Sequence, residues 1–218
     1  MSDIKKNIED IISKLPDDVL LVAVTKHRSI EEIKKVLEEG ISDLGENRVQ
    51  EFREKQEVLP KDIRWHIIGH LQKNKVKYVI GKVFLIHSVD SVELARTIDK
   101  ESKKKGLMTD ILIQLNVSGE ESKFGLDPNQ LDQFLEDISD LGNIRIKGLM
   151  TIAPNTKNIE DLKDIFTTTR AIYDKIKENV NGVTNIEMTF LSMGMTNDFD
   201  VAVEAGSNMV RIGSGLFE

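Results

Sequence analysis

Apolar and polar positions along this chain follow two alternating rhythms. Short, dense apolar runs predict strands over 20–26, 41–46, 63–69, 83–88, 110–117, 144–151, 186–192 and 208–213. Between them, apolar residues recur at helical spacing over 29–39, 48–58, 72–80, 91–105, 128–140, 158–179 and 197–205. An amphipathic stretch, MSDIKKNIEDIISKLP, precedes the first strand and predicts one extra helix. Gly40 and Gly106 stand where two helices should stop. Strand–helix units with short connections imply a parallel sheet, and eight of them suggest an α/β fold, a (β/α)8 barrel of the TIM type. Residues 1–218 are expected to form that barrel as one domain. The competing arrangement is an open doubly wound sheet, but no GxGxxG follows the first strand. All four prolines fall in predicted loops or at helix starts.

Composition narrows the class further. The 218 residues are 39% hydrophobic and 31% charged, an ordinary soluble globular balance. Net charge is −7, which argues against nucleic acid as a partner, because phosphate neutralisation needs clustered Lys and Arg. Two basic clusters, QKNKVK at 72–77 and KKK at 103–105, read as solvated helix faces. With no cysteine there is neither a disulfide framework nor thiolate chemistry. The first residues lack a signal-peptide core and no run is long enough to span a membrane, so a cytoplasmic location is expected.

In a barrel of this kind chemistry collects at the C-terminal strand ends. Those ends offer Lys26; Glu46 and Asn47; His66 and Gly69; His87, Ser88 and Asp90; Asn116; Met150 and Thr151; Ser192; and Arg211 with Gly213 and Ser214. A buried strand that runs into a lysine is unusual. Partial desolvation at a barrel mouth would lower the pKa of Lys26 and free its amine for attack on a carbonyl. Such a lysine can equally snorkel to the rim and pair with a carboxylate. The turns LSMGMTND and RIGSG close the last two strands with small residues, whose backbone N–H groups can approach an anion. Thr196 with Asn197 and Asp198 could instead make an ordinary helix cap. A strand-end lysine opposite a phosphate cup is what pyridoxal phosphate requires. Metal binding is not expected: His66 and His70 are four apart but fall on a strand and a turn, outside zinc-helix logic. No GxSxG elbow is present.

Longer segments carry a resemblance. AVTK at 23–26, GENRVQE at 45–51, WHIIGHLQKNK at 65–75, HSVDS at 87–91, QLNVSGEESKFG at 114–125, GLMTIAP at 148–154, LSMGMTNDFDVAVEAGS at 191–207 and MVRIG at 209–213 occur in order over nearly the whole chain. Together the sequence resembles the pyridoxal-phosphate homeostasis protein family, small relatives of the alanine racemase N-terminal barrel. The resemblance implies that Lys26 carries pyridoxal 5'-phosphate as an internal aldimine. It implies that Ser192 and the Gly213–Ser214 backbone hold the phosphate, and that Arg211 approaches the pyridine nitrogen. Asn47, His66 and Met150 become cofactor-pocket residues by the same likeness.

Two functional classes follow: a carrier serving pyridoxal-phosphate buffering or delivery, and an amino-acid racemase or decarboxylase. A cationic arginine at the ring opposes ring protonation and weakens the electron sink. The alanine racemase second base comes from a further domain and a partner subunit, and the chain is expected to lack that domain. The carrier is therefore the expected class, as a monomer that passes cofactor to apo-enzymes. Lys123, in the loop after the fifth strand, is a candidate for transient capture of the cofactor, against the plainer reading of a solvated loop lysine.

Overall fold

The computed structural model describes residues 3–120, 123–156, 158–179 and 185–218. Among these residues eight parallel strands close into a barrel in chain order: β1 (Leu20–Val24), β2 (Asp43–Glu46), β3 (Arg64–Ile67), β4 (Leu85–Val89), β5 (Thr109–Leu115), β6 (Ile144–Thr151), β7 (Ile186–Ser192) and β8 (Met209–Ile212). The ring is sealed where β1 pairs with β8, Leu21 against Val210 and Val22 against Arg211. This is the (β/α)8 architecture that the alternating pattern implies.

Helix α1 (Ile4–Ile12) precedes the barrel and buries Ile4, Ile8 and Ile11. The outer layer is α2 (Ile30–Glu38), α3 (Val49–Val58), α4 (Val92–Lys105), α5 (Leu131–Asp137), α6 (Ile159–Asn179), α7 (Phe199–Glu204) and α8 (Ser214–Phe217). Local chemistry sets several ends. Ser29 and Glu32 form a reciprocal capping box at the start of α2, and Gly106 ends α4 in the left-handed region at φ 64°. Among the described residues no helix is long and apolar enough to cross a membrane.

Three elements depart from the sequence pattern. The stretch expected as a helix over 72–80 is a 3-10 helix, Lys73–Tyr78. The one over 128–140 is split, because Pro128 opens a separate 3-10 turn before α5. α8 has too few residues to show a period, and the sequence pattern does not reveal it.

The core has two compartments. One lies between barrel and helices and contains Ile33, Phe52, Ile98 and Phe166. The other fills the barrel itself with Val22, Leu85, Leu112, Met150 and Met209. Each such large apolar side chain stabilises the fold by about 1.5–3 kcal/mol on burial. Between β6 and β7 the backbones approach so closely that a Cβ at Gly148 would stand 1.7 Å from the Phe190 carbonyl oxygen, and φ there is 145°. Only glycine satisfies both conditions.

Candidate active site at the barrel mouth

A cavity of about 670 Å³ opens at the C-terminal ends of the strands. Lys26, Thr196, Asp198, Arg211, Gly213 and Ser214 are among its lining. Its size falls within the range of small-molecule sites.

Lys26 sits two residues beyond the end of β1, on a turn held from below. The Thr25 N–H donates to the Gly45 carbonyl (3.0 Å), and the Thr25 carbonyl accepts from the Arg28 N–H (3.1 Å) and the Lys55 ammonium (2.7 Å). Thr25 Oγ1 donates to Glu46 Oε1 (2.6 Å), and Lys55 Nζ donates to the same oxygen (2.7 Å). Glu51 accepts from the His27 N–H at 2.8 Å, and His27 takes a left-handed φ of 60°. These bonds end β1 at Val24, two residues short of the strand expected over 20–26, and turn the chain outward. Glu46 lies fully buried; burial pushes its carboxyl up, opposed by Lys55 and Thr25. At Glu51 burial also pulls upward, but the His27 N–H and Lys55 outweigh it and the net direction is down.

The expected desolvation of Lys26 is not what the fold provides. Lying past the strand end, Lys26 is exposed in the open mouth. Among the described residues no carboxylate lies within ion-pair distance of it, so it is not the carboxylate-paired rim lysine either.

Arg211 is the opposite case. It is 3% exposed, and burial pushes its guanidinium down to about 10, with Asp198 opposing. Its Nη1 donates to Ser192 Oγ (2.7 Å) and its Nη2 to the Thr151 carbonyl (2.9 Å). Asp198 holds the turn before α7 by accepting from the Met195 N–H, and burial raises its own carboxyl.

The two small-residue turns meet. The Gly215 N–H donates to Thr196 Oγ1 at 3.2 Å. A Cβ at Gly215 would press to 2.9 Å from Thr196 Cγ2, so the close approach depends on glycine. Gly213 and Ser214 face the cavity beside this contact.

Of the residues singled out from sequence, Lys26, Arg211, Gly213 and Ser214 come together at the cavity. Ser192, His66 and Met150 do not line it. Met150 is part of the barrel interior, while Ser192 and His66 lie fully buried beneath Arg211. Asn47 is also off the lining, and its side-chain oxygen is buried with no partner among the described residues. Lys123 pairs with Glu120 at 3.3 Å and is likewise off the lining; its neighbours 121–122 lie outside the described residues. Sequence reasoning missed Lys55 and the roles of Thr25 and Glu46. It named His87 as a strand-end residue but gave it no task. No group of three or more metal-ligating side chains occurs among the described residues.

Fold and site together define an alanine-racemase-type barrel, and the family model described as the alanine racemase N-terminal domain matches residues 1–218. A pyridoxal phosphate homeostasis protein of Aquifex aeolicus is 43% identical over 198 residues, covering 90% of this chain and 85% of that protein. The structure of PipY from Synechococcus elongatus with PLP bound superposes with a TM-score of 0.89 at 32% identity, covering 99% of this chain and 100% of that one. Alanine racemase of Clostridium difficile shares the fold, with a TM-score of 0.81 at 20% identity over 99% of this chain and 56% of that one. The chain belongs to the pyridoxal phosphate homeostasis protein family.

Proposed function

We propose that this chain binds pyridoxal 5'-phosphate in the mouth cavity through Lys26 and serves cofactor homeostasis, by buffering or delivery, without turning over a substrate. When bound, that cofactor supplies an aldehyde that condenses with an amine and releases water, and a phosphate that needs hydrogen-bond donors. The donor set fits. One observation carries the reading: an amine without a carboxylate partner and a buried arginine face one cavity, beside a glycine–serine turn.

In this reading Lys26 binds the aldehyde carbon, and the Gly213–Ser214 backbone receives the phosphate. Arg211 presents an N–H to the pyridine nitrogen. Ser192 supports Arg211 from below instead of meeting the phosphate directly. Asn47 enters this reading only through the family likeness, since it lies off the cavity lining. The carrier reading over a racemase follows the homeostasis proteins this chain resembles, and Arg211 agrees with it without by itself excluding racemisation. A buried cation at the ring opposes ring protonation and leaves a poor electron sink for carbanion chemistry. Recipient apo-enzymes, a monomeric state and a cytoplasmic setting complete the proposal.

An absorbance spectrum of purified protein with added pyridoxal phosphate tests it. Wild type should develop the band of a lysine-linked cofactor, and Lys26→Ala should lack it. A wild type without the band overturns the proposal. A band with full amino-acid turnover would replace the carrier by the racemase.

A further inference from the structure

The barrel interior holds an uninterrupted row of polar side chains between its two ends. Arg64, at the start of β3, pairs with Asp43 at the start of β2. Asp43 Oδ1 is 2.9 Å from His66 Nε2, and His66 Nδ1 is 2.9 Å from His87 Nε2. His87 Nδ1 is 3.1 Å from Ser192 Oγ, which accepts from Arg211 Nη1 at 2.7 Å. His66, His87 and Ser192 have no exposed surface. A row of buried polar groups costs the fold heavily unless each one is satisfied.

With both rings neutral, chemistry at the two ends fixes every hydrogen between them. A guanidinium only donates, and a carboxylate only accepts. Ser192 therefore accepts from Arg211 and passes its hydroxyl hydrogen to His87 Nδ1. His87 donates from Nε2 to the bare Nδ1 of His66, and His66 donates from Nε2 to Asp43. Both neutral rings then carry the proton on Nε2. Burial, which drives both histidines below their ordinary value, favours the same state. An extra proton on His66 sets two donors face to face, or forces the His87 proton onto Nδ1 and turns the serine hydroxyl away. One on His87 turns the serine hydroxyl away.

We propose that Asp43, His66, His87 and Ser192 form a one-directional hydrogen-bond chain that positions Arg211 from inside the barrel. This rests on the reading that Arg211 meets the pyridine ring. It makes His66 and His87 positioning residues that act through Arg211, not walls of the cofactor pocket. Nitrogen-15 NMR of the imidazoles in cofactor-free wild type tests the chain itself. At a pH one unit below the ordinary histidine value of about 6.5, both rings should be neutral with the proton on Nε2. A protonated ring, or His87 protonated on Nδ1, overturns the chain.

Absorbance titration with pyridoxal phosphate tests the positioning. His87→Leu should weaken uptake roughly tenfold, the loss of about one good hydrogen bond. His87→Gln, whose amide offers one donor and one acceptor, should recover most of that loss. A folded His87→Leu that titrates like wild type overturns the positioning role. If His87→Leu does not fold, Ser192→Ala decides by the same criterion. A wild type that takes up no cofactor defeats the proposed function, while the NMR result still decides the chain.

Discussion

Lys26 and Arg211 line one cavity from neighbouring strands and rest on supports of opposite kinds. Beneath Lys26, outside the barrel wall, lies an ionic clamp: Glu46 and Lys55 buried together, with Thr25 and Glu51 completing it. Beneath Arg211, inside the barrel, lies a row of neutral rings and a hydroxyl. The exposed lysine thus has charge under it, and the buried arginine has none except at the far end. In the proposed function Lys26 meets an incoming aldehyde, which needs its backbone fixed and its side chain free, and bonds to Thr25 and His27 fix only backbone and neighbours. An arginine that must hold one orientation needs its own donors occupied, and Ser192 and Thr151 occupy two of them.

The largest effect should come from breaking the clamp. Lys55→Met leaves Glu46 buried without its cation, and one of its oxygens already has no partner among the described residues. Unfolding in urea should show a loss of about 3–5 kcal/mol. A loss below about 1 kcal/mol would mean that Glu46 is held protonated and needs no cation.

The pH dependence separates the two supports by sign. His66 and His87 have lowered values in the folded chain, so the unfolded chain binds more protons below about 6.5. Stability is therefore fully present above that pH and falls below it, by up to about 2.7 kcal/mol per pH unit for two such groups. His87→Gln should halve that slope. Glu46, whose value is raised above 4.5, acts in reverse: its contribution declines as pH rises through that window. Denaturant melts across pH 5 to 8 check both signs, and an unchanged slope in His87→Gln would deny His87 its neutral state.

Gly215→Ala leaves both supports standing and sharpens the contrast by disturbing the turn alone. The added methyl meets Thr196 Cγ2, so stability should drop by about 1–3 kcal/mol. Cofactor uptake should weaken while the histidine NMR signals stay in place. Movement of those signals would couple the turn to the interior row.

The sequence pattern carried the architecture because strand and helix periods differ and each unit announces itself locally. Its boundaries were less visible. β1 stops at Val24 through bonds from Lys55 on α3, a residue far along the chain. The expected desolvation of Lys26 failed for that reason, since two residues past a strand end is already the open mouth. Likeness to a family brought Lys26, Arg211, Gly213 and Ser214 to one place, and all four line the cavity. It put His66, Met150 and Ser192 at the pocket too. Period-2 alternation tells which face of a strand a side chain takes but not its depth in the barrel, and these three point inward below the mouth. The Glu46–Lys55 pair was invisible because its members belong to different elements and share no motif.

Closure of β1 on β8 has a consequence for how such a molecule is made. Lys26 leaves the ribosome well before Arg211, yet they line one cavity. Until β8 docks, the early lysine has no partner wall and the arginine no row of rings to settle on. On the proposed function, a chain still short of β8 has Lys26 but not yet the wall that would hold a cofactor beside it.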